Sequence, residues 1–558
     1  MKKRRKPLGP ASRTARAEQG IVLKKGKGMV KTALVYPNTY STGMSSLGFQ
    51  TVYRVANRID AVSCERVFWP GRQRGKEPLK SVETGLRLDQ FDIILFSVSF
   101  ENDFIHLAQL LGEAGIPLRS PDRNHIHPLV VAGGVACFLN PEPISPFIDL
   151  FLLGEAEVLI PPFFDLYTAK GRDRLSFLSA IETDLPGVYV PARHPSHDPA
   201  AIKVQYIENL ENTTTKSVLL SPDTAFKDTF LVETLKGCPH GCRFCTAGYI
   251  YRPPRVYPKE NIYAAIDEAA SKTRRLGLVS SAIADHPDIA DICAYARNKH
   301  LRVSFSSLRA DKLTDRFIKA LSDSRVKTAT IAPEAGSQRM RNVINKKITE
   351  AHILKGARKL VAAGIFNIRL YFMIGLPFET MDDVQAIVDL TLKIKSVFLD
   401  ASKKKKKIGT LTLGVNPFIP KPATPFQWAA MDKEPVLKKK AAMIRDGLKK
   451  TPNTRVNVES LRNAKINALL SLGDRAMADV IEDALASGWA AAVRKHADYC
   501  DNLIYKEKPL DAPLPWDFLD NRINKAFLAD EFQKARDGKT SAACPMVDCH
   551  RCKVCIQS

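Results

Sequence analysis

Two long stretches of this chain repeat one pattern: a short unbroken apolar run, then turn residues, then a helical periodicity. Apolar runs without polar alternation suit strands covered on both faces, which restricts the fold to parallel α/β sheets with helices outside. In the first stretch the candidate strands are Thr32–Tyr36, Asp92–Ser97, Leu129–Ala132 and Ile148–Leu153. They predict a Rossmann-like parallel sheet over residues 31–191. Ligands on such sheets bind at the carboxyl ends of strands, which directs attention to Pro37–Gly48, Ser97–Asn102 and Gly133-Gly134. In the second stretch the runs are Phe230–Thr234, Leu276–Ser281, Val303–Ser306, Thr328–Ala332, Ile368–Ile374 and Thr410–Asn416. Six strand–helix units predict a central partial TIM barrel over residues 226–450. Ile353, Ala357, Leu360 and Val361 fall on one helical face, and Thr380 with Asp383 has capping-box spacing. Residues 192–225 are polar and read as a linker or peripheral hairpin. Residues 451–558 read as a small, mostly helical C-terminal domain, and residues 1–30 as a basic flexible arm.

The 558 residues are 45 % hydrophobic, enough for several domains and a sizeable core. No apolar run approaches the roughly 20 residues needed to span a bilayer. Arg4-Arg5 is not followed by an apolar stretch, so no signal peptide and no membrane partner are expected, and the location expected is cytoplasmic. Lys and Arg number 83 against 59 acids, a net charge of +24. Positive runs recur at Lys2–Lys6, Lys24–Lys27, Lys403–Lys407 and Lys438–Lys440. Charge of this sign attracts phosphate polymers in a salt-dependent way. The same runs also suit solvated loops, so RNA is one partner reading and not a necessary one.

Eleven cysteines in such a chain argue for metal over disulfides. Cys64, Cys137, Cys293 and Cys500 are scattered and read as small buried apolar residues. Cys238, Cys242 and Cys245 form a C-x3-C-x2-C loop directly after a candidate strand. Three thiolates can hold an iron–sulfur cubane and leave one iron open to chelate an amino-carboxylate. Gly237 and Gly241 let the backbone wrap closely. Zinc, with His240 as fourth ligand, is the alternative. Cys544, Cys549, Cys552 and Cys555 form a second group in the last fifteen residues. Its C-x2-C-x2-C core suits an auxiliary iron–sulfur cluster, with zinc the alternative and His550 a further possible ligand.

The first loop, with an aromatic residue before its last cysteine, resembles the signature of the radical S-adenosylmethionine (SAM) superfamily. That resemblance implies a 4Fe-4S cluster on Cys238, Cys242 and Cys245 as the catalytic centre. It further implies SAM on the open iron, a low-potential electron donor, and reductive cleavage to a 5′-deoxyadenosyl radical. Phe244 would lie near the adenine. Ile331–Ser337 resembles the end of the fourth strand, where Glu334 would contact the cofactor. Met373–Pro377 resembles the fifth-strand motif around adenine, giving Met373 and Gly375 as cofactor residues. Ser306 ends the third strand and joins them, and Pro417–Pro422 resembles the end of the sixth. The superfamily's Gly-Gly-Glu after strand two is absent, with Ser280-Ser281-Ala282 in its place.

The domain order resembles radical SAM proteins with an N-terminal cobalamin-binding domain. Val131–Gly134 and Gly154–Glu157 are similar to that group, and Ala33–Tyr40, Ala247–Pro253 and the terminal cysteines resemble one uncharacterised branch. Members of that branch often come with a separate partner protein or domain. Where a histidine-ligating cobalamin domain carries its histidine stands Tyr40, a poor neutral ligand. Cobalamin without a histidine ligand, or a substrate or docking domain, are the readings left. The implied function is radical modification of RNA (tRNA or rRNA). The rivals are radical chemistry on a protein or small molecule, and a non-enzymatic cluster-bearing RNA or assembly factor.

Overall fold

The computed structural model describes residues 18–24, 26–71, 78–170, 173–194, 201–306, 308–403, 407–546 and 549–556. Lys2–Lys6, Lys25, Ser307 and Lys404–Lys406 lie outside the described residues.

The N-terminal sheet has six strands, β1 (Val30–Tyr36), β2 (Val62–Phe68), β3 (Ile93–Ser97), β4 (Leu129–Gly133), β5 (Leu150–Leu152) and β6 (Val188–Tyr189). Their order is β2-β1-β3-β4-β5-β6; β6 runs antiparallel to β5 and the other pairs are parallel. The order reverses between β1 and β3, the doubly wound arrangement in which ligands bind beyond the strands' carboxyl ends. Every residue of β3 is buried, as an unbroken apolar run requires. The helix Leu47–Arg58 begins on Ser46, whose hydroxyl accepts from the Phe49 N–H.

Seven parallel strands follow in two groups. The first comprises β7 (Thr229–Glu233), β8 (Arg275–Val279) and β9 (Arg302–Phe305), and the second β10 (Thr328–Glu334), β11 (Asn367–Ile374), β12 (Leu411–Pro417) and β13 (Thr454–Val458). Among the described residues a single parallel bridge, Leu308 to Ile331, links the groups into an open barrel. All six expected strands are present. The seventh, β13, pairs with β12 and lies beyond residue 450, inside the stretch read from sequence as C-terminal domain. Its burial alternates between half-buried and exposed, as on a sheet edge, so it lacks the apolar run by which the other strands are recognised.

Helices Leu461–Leu472, Met477–Ser487, Trp489–Lys495, Ala497–Tyr505 and Lys525–Arg536 form the C-terminal part. Two segments of the periphery carry long-range contacts. Ile202–Lys203, within the supposed linker, pairs in parallel with Leu519–Asp520, a partner more than three hundred residues away. The supposed flexible arm is anchored from Glu18 onward: the Arg66 guanidinium, fully buried, is held by Glu18 at 2.7 Å and Glu83 at 2.6 Å. A buried guanidinium must be paired, so Arg66 fixes where the arm lies. The four scattered cysteines are all buried, as expected. Among the described residues no helix is long and apolar enough to cross a membrane.

Candidate functional site

The cysteine loop leaves the barrel just after β7. Gly237 there has φ +81, and a Cβ would lie 2.8 Å from the Tyr251 side chain, so the close turn needs glycine. Asn345 donates to the Gly241 carbonyl at 2.9 Å and the Tyr249 hydroxyl does so at 3.1 Å. Arg243 is wholly buried beneath the loop. It donates to the carbonyls of Asn342 and Val343 and is paired with Glu531 at 3.1 Å.

Cys238, Cys242, Phe244, Cys245 and Glu334 line one cavity of about 160 Å³, together with Ser281, Asp285, Arg309 and Lys346. Glu334 arrives through a bulge: the β10–β11 register shifts between Ile331 and Glu334, and Glu334 sits at φ +66. A non-glycine residue at such a φ costs of order 1 kcal/mol and is held there by its surroundings, here a 3.1 Å ion pair from Lys346. Burial, then the neighbouring Cys242, pushes the Cys238 thiol up to about 12 and the Cys245 thiol to about 11. Burial alone would lower the Lys346 ammonium and the Arg309 guanidinium. Glu334 and Cys242 carry the former up, and Cys242 and Asp311 the latter. A buried lysine and a half-buried arginine beside Cys242 suit thiolates that carry an anionic cluster.

His240 lines the same cavity, and its Nε2 is engaged by Asp285 at 2.9 Å, where Lys312 also binds. Burial opposes the ionisation of Asp285, but these two partners hold its carboxyl below the usual range. His240 is therefore not placed as a fourth zinc ligand. Among the described residues no three Cys, His, Asp or Glu side chains stand close enough to hold a single metal ion. The fit to a three-thiolate cluster rests on the shared cavity and its flanking cations.

Three expected cofactor residues do not line this cavity. The Ser306 hydroxyl donates to the Ser280 carbonyl at 2.8 Å. Met373 is half-buried at the end of β11, opposite Asn416. The Gly375 N–H donates to Glu379, which also accepts from Lys440. All three stand at carboxyl ends of strands, the catalytic edge of barrel folds. Lys346 and Asp285 were not singled out from sequence, because charged loop residues give no signal until the fold brings them beside the thiols.

A second cavity, of about 480 Å³, lies between the carboxyl edge of the N-terminal sheet and the barrel. Ser46–Gly48, Ser97, Gly133 and Gly134 line it from the sheet, the segments the strand-end rule indicated. Lys236, Gly237 and Ser281 line it from the barrel, and Ser281 belongs to the wall of both cavities. Tyr40 is not on this wall. Its hydroxyl donates to Glu18 and shares a 2.8 Å hydrogen bond with the Ser221 hydroxyl, and burial raises its pKa. The described residues thus offer cobalt no ligand at the position where a histidine would stand.

A third cavity, of about 300 Å³, lies on the other side of the loop, between Gly241 and the tail residues Cys544, Cys549 and Cys552. Arg551 donates to the Cys549 sulfur at 3.4 Å, and the Cys549 thiol is lowered by the adjacent Arg551 backbone and side chain. Cys552 is buried, while Cys544 and Cys555 are half-buried.

Residues 48–191 match the family described as radical SAM proteins, N-terminal, and residues 232–391 match the radical SAM superfamily. An uncharacterized protein of Methanocaldococcus jannaschii is 30 % identical over 460 residues, 81 % of this chain and 91 % of that one. Two solved structures are also similar. The radical SAM methyltransferase TsrM from Kitasatospora setae, with tryptophan substrate and a SAM analog bound, aligns over 69 % of this chain and 72 % of its own at 12 % identity, TM-score 0.44. The cobalamin-dependent SAM radical enzyme OxsB aligns over 65 % of this chain and 51 % of its own at 16 % identity, TM-score 0.43.

Proposed function

The chain belongs to the radical SAM superfamily, and on that premise we propose that this enzyme draws a substrate group into the larger cavity and modifies it there, the molecule carrying the group being RNA. The observation that carries the reading is the shared wall: Ser281 lines both the mostly apolar cavity and the cavity of the thiols, and the consecutive residues Gly237 and Cys238 line one each. When bound, a 4Fe-4S cluster on Cys238, Cys242 and Cys245 supplies the electron that cleaves SAM to a 5′-deoxyadenosyl radical. This chain's own residues divide the remaining tasks. Glu334, held by Lys346, would accept hydrogen bonds from donor groups of SAM, and Phe244 lines the same cavity. Arg309 and Lys346 offset thiolate charge. The apolar wall excludes water from a reactive carbon radical.

RNA as carrier rests on the net charge of +24. A small molecule is the competing reading, favoured by the apolar wall of the larger cavity. An electron donor of low potential is required, and the tail cysteines are the place for an auxiliary iron–sulfur cluster or zinc. Cobalamin, if it enters the larger cavity, does so without a ligand from Tyr40, and no step here depends on it.

The test has two parts. Anaerobically reconstituted protein should hold about four irons at the first loop, and Cys242→Ala should lose them with all 5′-deoxyadenosine formation. Normal turnover in that variant would sink the assignment. Nucleoside analysis of tRNA and rRNA from cells with and without the protein should then show one modification missing. Identical profiles would move the reading to a small-molecule or protein substrate.

A further inference from the structure

The larger cavity is chemically uneven. Its walls are mainly apolar, with Val52, Phe96, Phe138, Leu152, Ile160 and Tyr251 among them. Three carboxylates also reach it, but two are already satisfied. Glu155 is paired with Arg255 at 2.8 Å and accepts the Ile207 N–H at 2.7 Å. Glu233 is paired with Lys236 at 3.2 Å and accepts from the Tyr257 hydroxyl at 3.0 Å. Lys236, the cation on the wall, is occupied by these same carboxylates, so an incoming phosphate would find no free positive partner there.

Two lining residues are different. Thr51, 3 % exposed, has a hydroxyl with no hydrogen-bond partner, and Glu157 Oε1 has none either. A buried polar atom without a partner is unfavourable by about 1–3 kcal/mol, so such atoms in a native fold need an explanation. Thr51 stands in the second turn of the helix Leu47–Arg58 and Glu157 in the first turn of the helix Ala156–Ala169, and these helices pack against each other beside the cavity. Arg54 and Lys236 act on Glu157 through space, but no ion pair closes on it among the described residues. Burial pushes the Glu157 carboxyl above its usual range. The carboxyl oxygen accepts, and the Thr51 hydroxyl can both donate and accept.

We propose that this cavity takes a flat, uncharged heteroaromatic ring of the nucleobase type, with Glu157 and Thr51 as the residues that read its polar edge. The inference rests on the RNA reading above and names the part of the RNA that enters. Apolar and aromatic walls receive the faces of such a ring, and its edge presents the adjacent donors and acceptors that a carboxyl and a hydroxyl match. The sugar-phosphate remains outside, where no buried cation is required. Ser281 is the point at which the ring lies nearest the cluster cavity.

Binding of adenosine, guanosine, cytidine and uridine, each as a separate probe, is measured by calorimetry on the reconstituted full-length protein. At least one should bind. Glu157→Leu should weaken that probe about tenfold or more, the effect of losing one buried hydrogen bond. Glu157→Gln, which keeps an acceptor, should stay within about threefold of wild type, and Thr51→Val should fall between them. Gly48→Phe should abolish binding, because a Cβ at Gly48 has only the Ser46 hydroxyl within 4 Å, at 3.8 Å, and the new ring can grow into the cavity. Iron content and melting temperature, read on each variant, keep a folding defect separate. Equal binding by wild type and Glu157→Leu would overturn the proposal. So would binding of aquocobalamin that Gly48→Phe removes while no nucleoside binds. If a nucleoside binds as described but cellular RNA is unaltered without the protein, the ring site stands and the RNA reading fails.

Discussion

The backbone N–H of Cys544 donates to the carbonyl of Pro239 at 2.8 Å, tying the first cysteine of the tail to the residue that follows the first cysteine of the catalytic loop. Ser541 adds a second tie, its N–H donating to Asn345 at 2.9 Å, and Asn345 in turn donates to the Gly241 carbonyl at 2.9 Å. The two cysteine groups, three hundred residues apart in sequence, are therefore back to back. Sequence spacing alone suggests two independent sites; these bonds join their loops. Deleting residues 540–558 removes at least these two bonds, each contributing about 1 kcal/mol. Iron at the first loop should then be lost to a chelator about tenfold faster or more. The loss is followed by absorbance under anaerobic challenge. Equal rates in both proteins would show that the tail only covers the loop.

The Arg243–Glu531 pair is the second place where the C-terminal part holds the loop. Both side chains are buried, and Glu531 also accepts from Ser541 and Lys534. Removing one partner of a buried pair leaves an uncompensated charge, at about 3–5 kcal/mol. Arg243 keeps its two backbone acceptors, so Glu531→Ala should destabilise by about 3 kcal/mol, toward the low end of that range. Denaturant unfolding of the metal-free protein reads this directly. The double change Arg243→Met with Glu531→Leu should recover most of the loss, since it strands no charge.

What the sequence disclosed follows from the range of each signal. The parallel strands were legible because an unbroken apolar run such as Ile93–Ser97 is local and has few alternative uses. The three thiols of the first loop were legible for the same reason, being close in sequence. The strand Thr454–Val458 escaped because an edge strand needs no continuous apolar run. The pairing of Lys346 with Glu334, of Asp285 with His240 and of Cys544 with Pro239 could not be read, because each depends on long-range packing. A run of like charge does not tell which of its members are exposed. Lys440, in a run that suggested a phosphate-binding surface, is buried between Glu379 at 2.8 Å and Asp432 at 2.7 Å.

The capping pattern at Thr380 and Asp383 is realised, and it carries a pH dependence. Asp383 accepts the Thr380 N–H at 2.9 Å and the Ser337 hydroxyl at 2.6 Å, and it is paired with Arg339. Burial opposes its ionisation, but Arg339, Ser337 and Thr380 together hold its carboxyl below the usual range. A depressed folded pKa contributes stability that is present above the unfolded value, about 3.9, and is lost as pH falls through the folded value. Asp383→Asn should therefore destabilise by about 1 kcal/mol at pH 7. The gap to wild type should close as pH falls below the usual carboxylate range. Urea melts at several pH values give both numbers, and a gap that persists at low pH would assign the effect to packing instead of charge.

The run at Lys403–Lys407 separates a nucleic-acid surface from a solvated loop. Lys403 ends the helix Met381–Lys403 and stands 79 % exposed, with only a loose 3.5 Å approach to the exposed Asp400. Lys407, also exposed, lies over the Phe366 ring at 5.1 Å. Neither lysine is needed to neutralise a buried acid, so both remain available to phosphate. Replacing all five with Gln should leave the melting temperature within a degree or so, since exposed charges contribute little to stability. If the run touches RNA, each phosphate contact removed should flatten the plot of log affinity against log salt by about 0.7 for a single strand and about 0.9 for a duplex. Filter binding of unmodified tRNA from 50 to 200 mM salt, conditions in which such contacts dominate, measures the slope. A slope equal to that of wild type would mark the run as a solvated loop and place the RNA-binding charge elsewhere on the molecule.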